Sequence, residues 1–504
     1  MGRRSTGRLV FHERCSRPVS DICFQPAWRQ MEALNLGTIT SVELLNLHVD
    51  QFNRVNKTIN AVIKTDLERA RQHANALDRM RADGKILGPL HGLPMTIKDT
   101  FDVDNMPATA GAPEFANRAR PVEDANVVMR VKASGGLIWG KTNVPYLAGE
   151  WQSFNRLFGQ TNNPYNLDVT PGGSSGGSAA ALASGITPVE IGSDIGGSLR
   201  IPSHFTGVCA LKPTFGLVSQ HGHVPPSPEY AGEVDLNVVG PMARTVRDLK
   251  IMRSVIQAGA TATQSGFALS LENKRLAVWA EQEEWPLSTA VQEVISSAVR
   301  ELEASEAEVV RVKPDVDPKE LMDVYLGLLI PVVAMDMPQL RSVGLKLLRP
   351  ILKRLQKYEK SQFTDGNWAV KATLSHHEWM QIDGRRAALK RILRDFFKSY
   401  DALIMPISAT PAIPHNTRGT VLERFITFDG KSHPYATHLN WISLASALHL
   451  PAVSIPAGRT PSGLPVGIQI IGPQNSDARL LDIAEAIEGL LGGYRRPTTD
   501  LGVY

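Results

Sequence analysis

The spacing of apolar residues changes from one segment of the chain to the next, and each change marks an element. Thr40 with Glu43 three residues on reads as a capping box, and Leu45, Val49 and Phe52 follow at helical spacing, which predicts a surface helix with one buried face. A charged helical stretch continues to about Gly84. Glycine and proline then bracket short apolar runs: Met95–Lys98, inside GPLHGLPMTIKDTFDV, and the segment GGLIWGKTN predict two strands. The loop after the first of them is a natural place for chemistry. From Arg275 to Val312 the order is a strand (RLAVWA), a helix from about Ala290 to Leu302 and a strand (EVVRV), the pattern of a βαβ unit. Strands return at ALIMP, AVSIP and VGIQIIG, after which Ser476 is placed to cap a last helix with Leu480, Ile483, Ala484, Ile487 and Leu491 on one face.

This alternation predicts a layered α/β fold. The chain divides into an N-terminal extension, residues 1–24, and a single domain over 25–504. The core of that domain lies at 25–315 and 395–495, and a helical insertion with few strand signals occupies about 316–394.

Composition narrows the class. With 43% apolar and 21% charged residues, the 504-residue chain matches a globular protein with a large core. Its 54 basic and 50 acidic side chains are spread evenly, so there is no electrostatic footprint for nucleic acid, and the expected partner is a small molecule. Cys15, Cys23 and Cys209 are too scattered for a disulfide framework or a zinc site, which fits a reducing, cytoplasmic compartment. The opening MGRRSTGRLVFHERC lacks the apolar run of a secretory signal; Gly2 and Thr6 satisfy a myristoylation pattern that chance often produces. The longest apolar stretch, around Leu326 to Ala334, is interrupted by Pro331 and is far short of the roughly 20 residues that span a bilayer.

Two glycine-rich segments carry the candidate chemistry. PGGSSGGSAAALASG, from Pro171 to Gly185, can approach a ligand closely, yet it lacks both the Lys-Ser or Lys-Thr that ends a phosphate-binding P-loop and the G-x-G-x-x-G dinucleotide spacing. A flexible linker would not be fused to an Ala-rich helix closed by Gly185. In GSDIGGSLRIP, two glycines before Ser198 let consecutive backbone N–H groups of Ile195, Gly196 and Gly197 converge on one point, as an oxyanion hole requires.

Taken with Lys98 at its strand end, these motifs resemble the amidase signature family. The matching segments are Gly92 to Asp99 (G-x-P-x-x-x-K-D), Gly172 to Ser178 (G-G-S-S-G-G-S) and Gly192 to Ser198 (G-S-D-x-G-G-S). Ser174 follows Lys98 by 76 residues and Ser198 follows Ser174 by 24, spacings close to those of the family. The likeness extends through FGQTNNPYNLDVTPGG, ALKPTFGLVS, GPMARTVRDL, LPAVSIPAG and GLPVGIQIIG, and weakens before residue 25 and across the helical insertion. It implies one large mixed, twisted β-sheet sandwiched between α-helices, and a serine hydrolase that cleaves linear amides through an acyl-enzyme, with no metal or organic cofactor and room for a homodimer. By resemblance Lys98 is the base, Ser174 a bridging serine on a cis peptide after Gly173, and Ser198 the acylated nucleophile. Such a relay needs a neutral Lys98. An ordinary lysine must titrate roughly 3 pH units lower to serve, a cost on the order of 4 kcal/mol that burial beside Met95 and Ile97 would supply. Asp99 should face away, because neighbouring strand residues alternate.

Other features read blandly. His376 and His377 fall on different helix faces, His91 sits in a turn, and Asp194 with Arg200 are placed to brace the loop. The basic stretch Lys346 to Lys360, with leucines at helical spacing, reads as a solvated helix face, with a membrane-surface role as the alternative. Substrate choice is expected to depend on the region from about Asp317 to Trp379 and the loop around Tyr230. There the apolar segment LMDVYLGLLIPVVAMDM, which a core-facing helix would also produce, points to apolar acyl or aryl amides, with carbamates, ureas and esters within the family's range. The rivals are a glutaminase subunit of an aminoacyl-tRNA amidotransferase and a silent scaffold. Against the first, Tyr146 in GKTNVPYLAGEWQSFN stands where an acidic residue is usual.

Overall fold

In the computed structural model, residues 21–119, 122–228, 230, 232–257, 270–356 and 361–498 are described. Gly2, Thr6, Cys15, most of the N-terminal extension and the end of the basic stretch at 357–360 lie outside them. Eight strands form the main sheet in the order Glu308–Arg311, Arg275–Val278, Ala402–Pro406, Pro465–Ile471, Ala452–Arg459, Cys209–Lys212, Val238–Ala243, Val189–Asp194. The first three run parallel, through the expected βαβ unit with its helix at Thr289–Glu303; the remaining pairings are antiparallel. One layer of helices, Val246–Ile256, Thr289–Glu303 and Asp477–Leu491, packs on one face, and Gly176–Ala183, Arg200–Thr206 and Leu439–Ala447 lie on the other. Lys98 is not in this sheet. Its strand, Pro94–Lys98, forms a separate three-stranded sheet with Leu137–Thr142 and Val62–Thr65 and packs against Val189–Asp194.

The capping box forms as expected, with Thr40 accepting from the Glu43 N–H at the head of the helix Ser41–Ile59. Ser476 does occupy the cap position of Asp477–Leu491, but its hydroxyl donates to the Pro473 carbonyl and caps nothing. The five apolar residues expected on that helix are all buried. Between 316 and 394 the described elements are four helices, Pro318–Val333, Gln339–Leu355, Asp365–Lys371 and His376–Phe396.

Along Gln339–Leu355 the basic residues Lys346, Lys353 and Arg354 are solvated as expected, but the leucines are not tucked away. The apolar stripe of this helix is exposed too, with Leu340, Val343, Leu347, Leu348, Ile351 and Leu355 all in solvent, while Arg349 and the still exposed Lys353 pair with Glu378 at 2.8 Å each. Among the described residues no helix is long and apolar enough to cross a membrane.

Candidate active site

The site forms where the two sheets meet. Alternation along Pro94–Lys98 puts Thr96 and Lys98 on one face, toward the strand Val189–Asp194. Thr96 bonds Glu190 there, and the Lys98 Nζ lies 2.8 Å from Ser174 Oγ and 2.9 Å from Ser193 Oγ. Asp99 faces away as expected, bonded to Thr109 and paired with Lys141 at 3.3 Å. Lys98 is fully buried, and burial brings its ammonium down to about 7 against the opposing pull of Asp194 and Glu190. Alternation turns Met95 and Ile97 to the far side. The desolvation therefore comes from the packed Val189–Asp194 strand and the serine loop, not from those two neighbours.

Glycine lets the serine loop reach this place. A Cβ on Gly173 would stand 2.4 Å from the Glu150 carbonyl, and one on Gly177 would stand 2.4 Å from the Asn143 nitrogen. Either contact would push the loop off the lysine strand. The Gly173–Ser174 peptide is cis. Behind it the helix Gly176–Ala183 is wholly buried, and Ser178 on it bonds Thr142 at 2.8 Å, tying the loop to the small sheet.

Ser198 follows the turn at the end of Val189–Asp194, where Gly197 has a φ of +89°. Asp194 and Arg200 do brace it. Both are fully buried, 3.0 Å apart, and the guanidinium also donates to Ile442 O, Gln469 Oε1 and Ser446 Oγ. Burial alone would raise the Asp194 carboxyl, but Arg200 beside it brings it down to about 2. Asp194 also takes the Gly197 N–H at 2.9 Å, so that donor, expected at the oxyanion hole, is already engaged. The peptide planes explain the arrangement. Trp151 Nε1 holds the Gly196 carbonyl and Tyr325 OH holds the Ile195 carbonyl, each at 2.8 Å. In a trans peptide the N–H points opposite to the C=O, so these two bonds fix where the Gly197 and Gly196 N–H groups aim.

Ser174, Ser198, Ile195 and Gly196 line one cavity of about 440 Å³. Its wall comes from Leu326, Leu329, Ile330 and Val333 on Pro318–Val333 and from Trp151 and Trp368. Among the described residues no lysine or arginine lines it, and its acids are Glu150 and Asp336. Glu150 is held by Arg424 and accepts from Tyr435 OH at 2.6 Å. Tyr230 is exposed and not part of the lining, although Val234 and Asn237 beyond it are. His91 is bonded to Leu77 O, and His376 and His377 sit on an exposed helix start, all away from the cavity. Four contributors were missed by sequence reasoning: Ser193, His223, Trp151 and Tyr325.

The family profile described as Amidase matches residues 43–481. The chain belongs to the amidase family. As such it is an amide-hydrolysing serine enzyme. Its relatives include a glutamyl-tRNA(Gln) amidotransferase subunit from Salinispora tropica, 30% identical over 92% of this chain and 96% of that one. The protein of the same name from Synechococcus sp. (strain CC9902) is 31% identical, over 92% and 95%. Among solved structures, a crystal structure of an amidase aligns with a TM-score of 0.75 at 28% identity, covering 93% of this amidase and all of the other. A bacterial aryl acylamidase of the amidase signature family shares the fold, with a TM-score of 0.75 at 23% identity over 94% and 97% of the two chains.

Proposed function

We propose that this amidase hydrolyses apolar acyl or aryl amides through an acyl-Ser198 intermediate, with Lys98 as base and Ser174 as the bridge. The observation that carries the reading is the 2.8 Å bond from a buried, readily neutral Lys98 to Ser174 at an apolar cavity. Neutral Lys98 takes the Ser174 proton, Ser174 takes that of Ser198, and Ser198 Oγ attacks the carbonyl carbon. The oxyanion is received by the N–H groups of Ile195 and Gly196, both at the cavity. Collapse breaks the C–N bond, and the relay returns a proton to the departing nitrogen. Water then attacks the acyl carbon by the same path and frees the carboxylic acid.

A base must be unprotonated to work. Because Lys98 titrates at about 7, kcat/KM should rise through neutral pH with a midpoint near that value and level off above it. A profile flat between pH 6 and 8 would remove Lys98 from the base role.

Substrate preference rests on the absence of a lining cation among the described residues. The α-carboxylate of glutamine would enter without a partner, whereas each buried CH₂ gains about 0.8 kcal/mol, or about fourfold in kcat/KM. Along alkyl and aryl amides of increasing size, activity should climb in such steps until the cavity is full. The names of the curated relatives favour a second reading, the glutaminase subunit of an amidotransferase. Glutamine hydrolysis equal to that of the best apolar amide, or co-purification of a transferase subunit, would replace the first reading by the second.

A further inference from the structure

Lys98 has a second hydroxyl neighbour, and the triad reading gives it no task. Ser193 Oγ lies 2.9 Å from Lys98 Nζ and 2.9 Å from His223 Nε2, while His223 Nδ1 lies 2.8 Å from the Pro225 carbonyl. Fixed backbone holds this chain in place. Val224 N–H donates to Thr100 O at 2.7 Å and Asp102 N–H to Gly222 O at 2.9 Å, so the His223 loop is strapped to the segment that continues from Lys98. The imidazole also stands edge-on to Phe101, with centroids 5.1 Å apart.

We propose that His223, acting through Ser193, fixes the direction of the hydrogen bonds around Lys98 so that the lysine lone pair faces Ser174. The inference rests on the Lys98, Ser174, Ser198 reading above. A carbonyl oxygen only accepts, so Pro225 requires the proton of a neutral His223 to be on Nδ1, which leaves Nε2 as an acceptor. Burial and the neighbouring Lys98 lower this imidazole to about 3, so it stays neutral at working pH. Ser193 has one proton and gives it to Nε2; its oxygen then accepts from Lys98. Neutral lysine has two N–H groups and one lone pair. With one N–H spent on Ser193, the lone pair is left for the Ser174 O–H, the bond through which the proton must pass. His223 is a positioning residue here and exchanges no proton with substrate.

Without an acceptor at residue 223, the Ser193 proton turns to the Lys98 lone pair and competes with Ser174 for it. One misplaced hydrogen bond of ordinary strength corresponds to about a tenfold loss. The experiment compares kcat and KM for the wild type, His223→Phe, His223→Gln, Ser193→Ala and the Ser193→Ala/His223→Phe double variant, with Ser198→Ala as control. His223→Phe should lower kcat about tenfold with KM changed by less than about twofold, and His223→Gln, whose amide oxygen can accept from Ser193, should restore most of it. In the Ser193→Ala background the competing proton is gone, so His223→Phe should cost nothing further. An equal loss in that background, or glutamine as poor as phenylalanine, overturns the proposal. Should His223→Phe fail to fold, ¹⁵N spectra of the histidine-labelled wild type decide: the Nδ1–H tautomer is expected, and Nε2–H refutes it. An active Ser198→Ala enzyme would instead sink the triad reading on which the proposal stands.

Discussion

Ser198→Ala is expected to abolish covalent labelling by a fluorophosphonate and to lower turnover by a factor on the order of 10⁴ or more. The substitution removes one oxygen from a small residue beside the Asp194–Arg200 brace, and that brace does not depend on the serine side chain. The protein should therefore unfold at nearly the wild-type temperature, so lost activity reports lost chemistry. Ser174 and Ser193 also line the cavity, and both have hydroxyls near Lys98. They are the groups best placed to substitute. Mass spectrometry of the labelled wild type separates the cases, because a tag on either of them, or unchanged labelling of Ser198→Ala, would take the nucleophile role from Ser198.

The elements that were legible in the sequence are those whose signal is local. Strands such as Ala402–Pro406 and Ala452–Arg459 announce themselves as short apolar runs between turns, and the Thr40–Glu43 box is a four-residue motif. Partners are not local. Nothing in MTIK says that this strand leaves the main sheet for one of three strands, because pairing is decided by segments far along the chain. Ser476 shows the same limit at small scale: position made it a cap, but its backbone, at φ −95° and ψ 15°, is not the extended one of a capping serine, and its hydroxyl donates to Pro473 O without accepting a helix N–H.

The candidate site divides the same way. Lys98, Ser174 and Ser198 stand in recognisable motifs; Ser174 and Ser198 line one cavity, and Lys98 lies buried behind Ser174. Ser193 was readable in part. It stands inside the G-S-D-x-G-G-S segment, but alternation does not give its direction, since Glu190, on the same side of the strand as Asp194, also bonds the lysine strand through Thr96. His223 carries no such signal in QHGHVPP, since its place depends on backbone bonds to residues 100–102. Trp151 and Tyr325 matter through their grip on two carbonyls of the nucleophile turn. Tyr325 comes from the stretch set apart as an insertion, which therefore helps to build the site.

A relay makes a last prediction, about how losses combine. Lys98→Met keeps much of the buried side-chain volume and removes the amine, which, titrating at about 7, is largely neutral only above that pH, where the variants are compared. Ser174→Ala removes the other end of the 2.8 Å bond. If the proton of Ser198 leaves only through Ser174 to Lys98, either break stops the same transfer. Each single variant should then fall on the order of 10³-fold or more in kcat, and the double variant should fall no further than the worse single. Two independent contributions would instead multiply, to on the order of 10⁶. Single-turnover kinetics on an activated aryl ester sharpen the test. A good leaving group needs no returned proton, so Ser174→Ala should lose less on the ester than on the matching anilide. Equal losses on both substrates would mean that Ser174 serves only the attack step, and multiplicative losses in the double variant would break the relay.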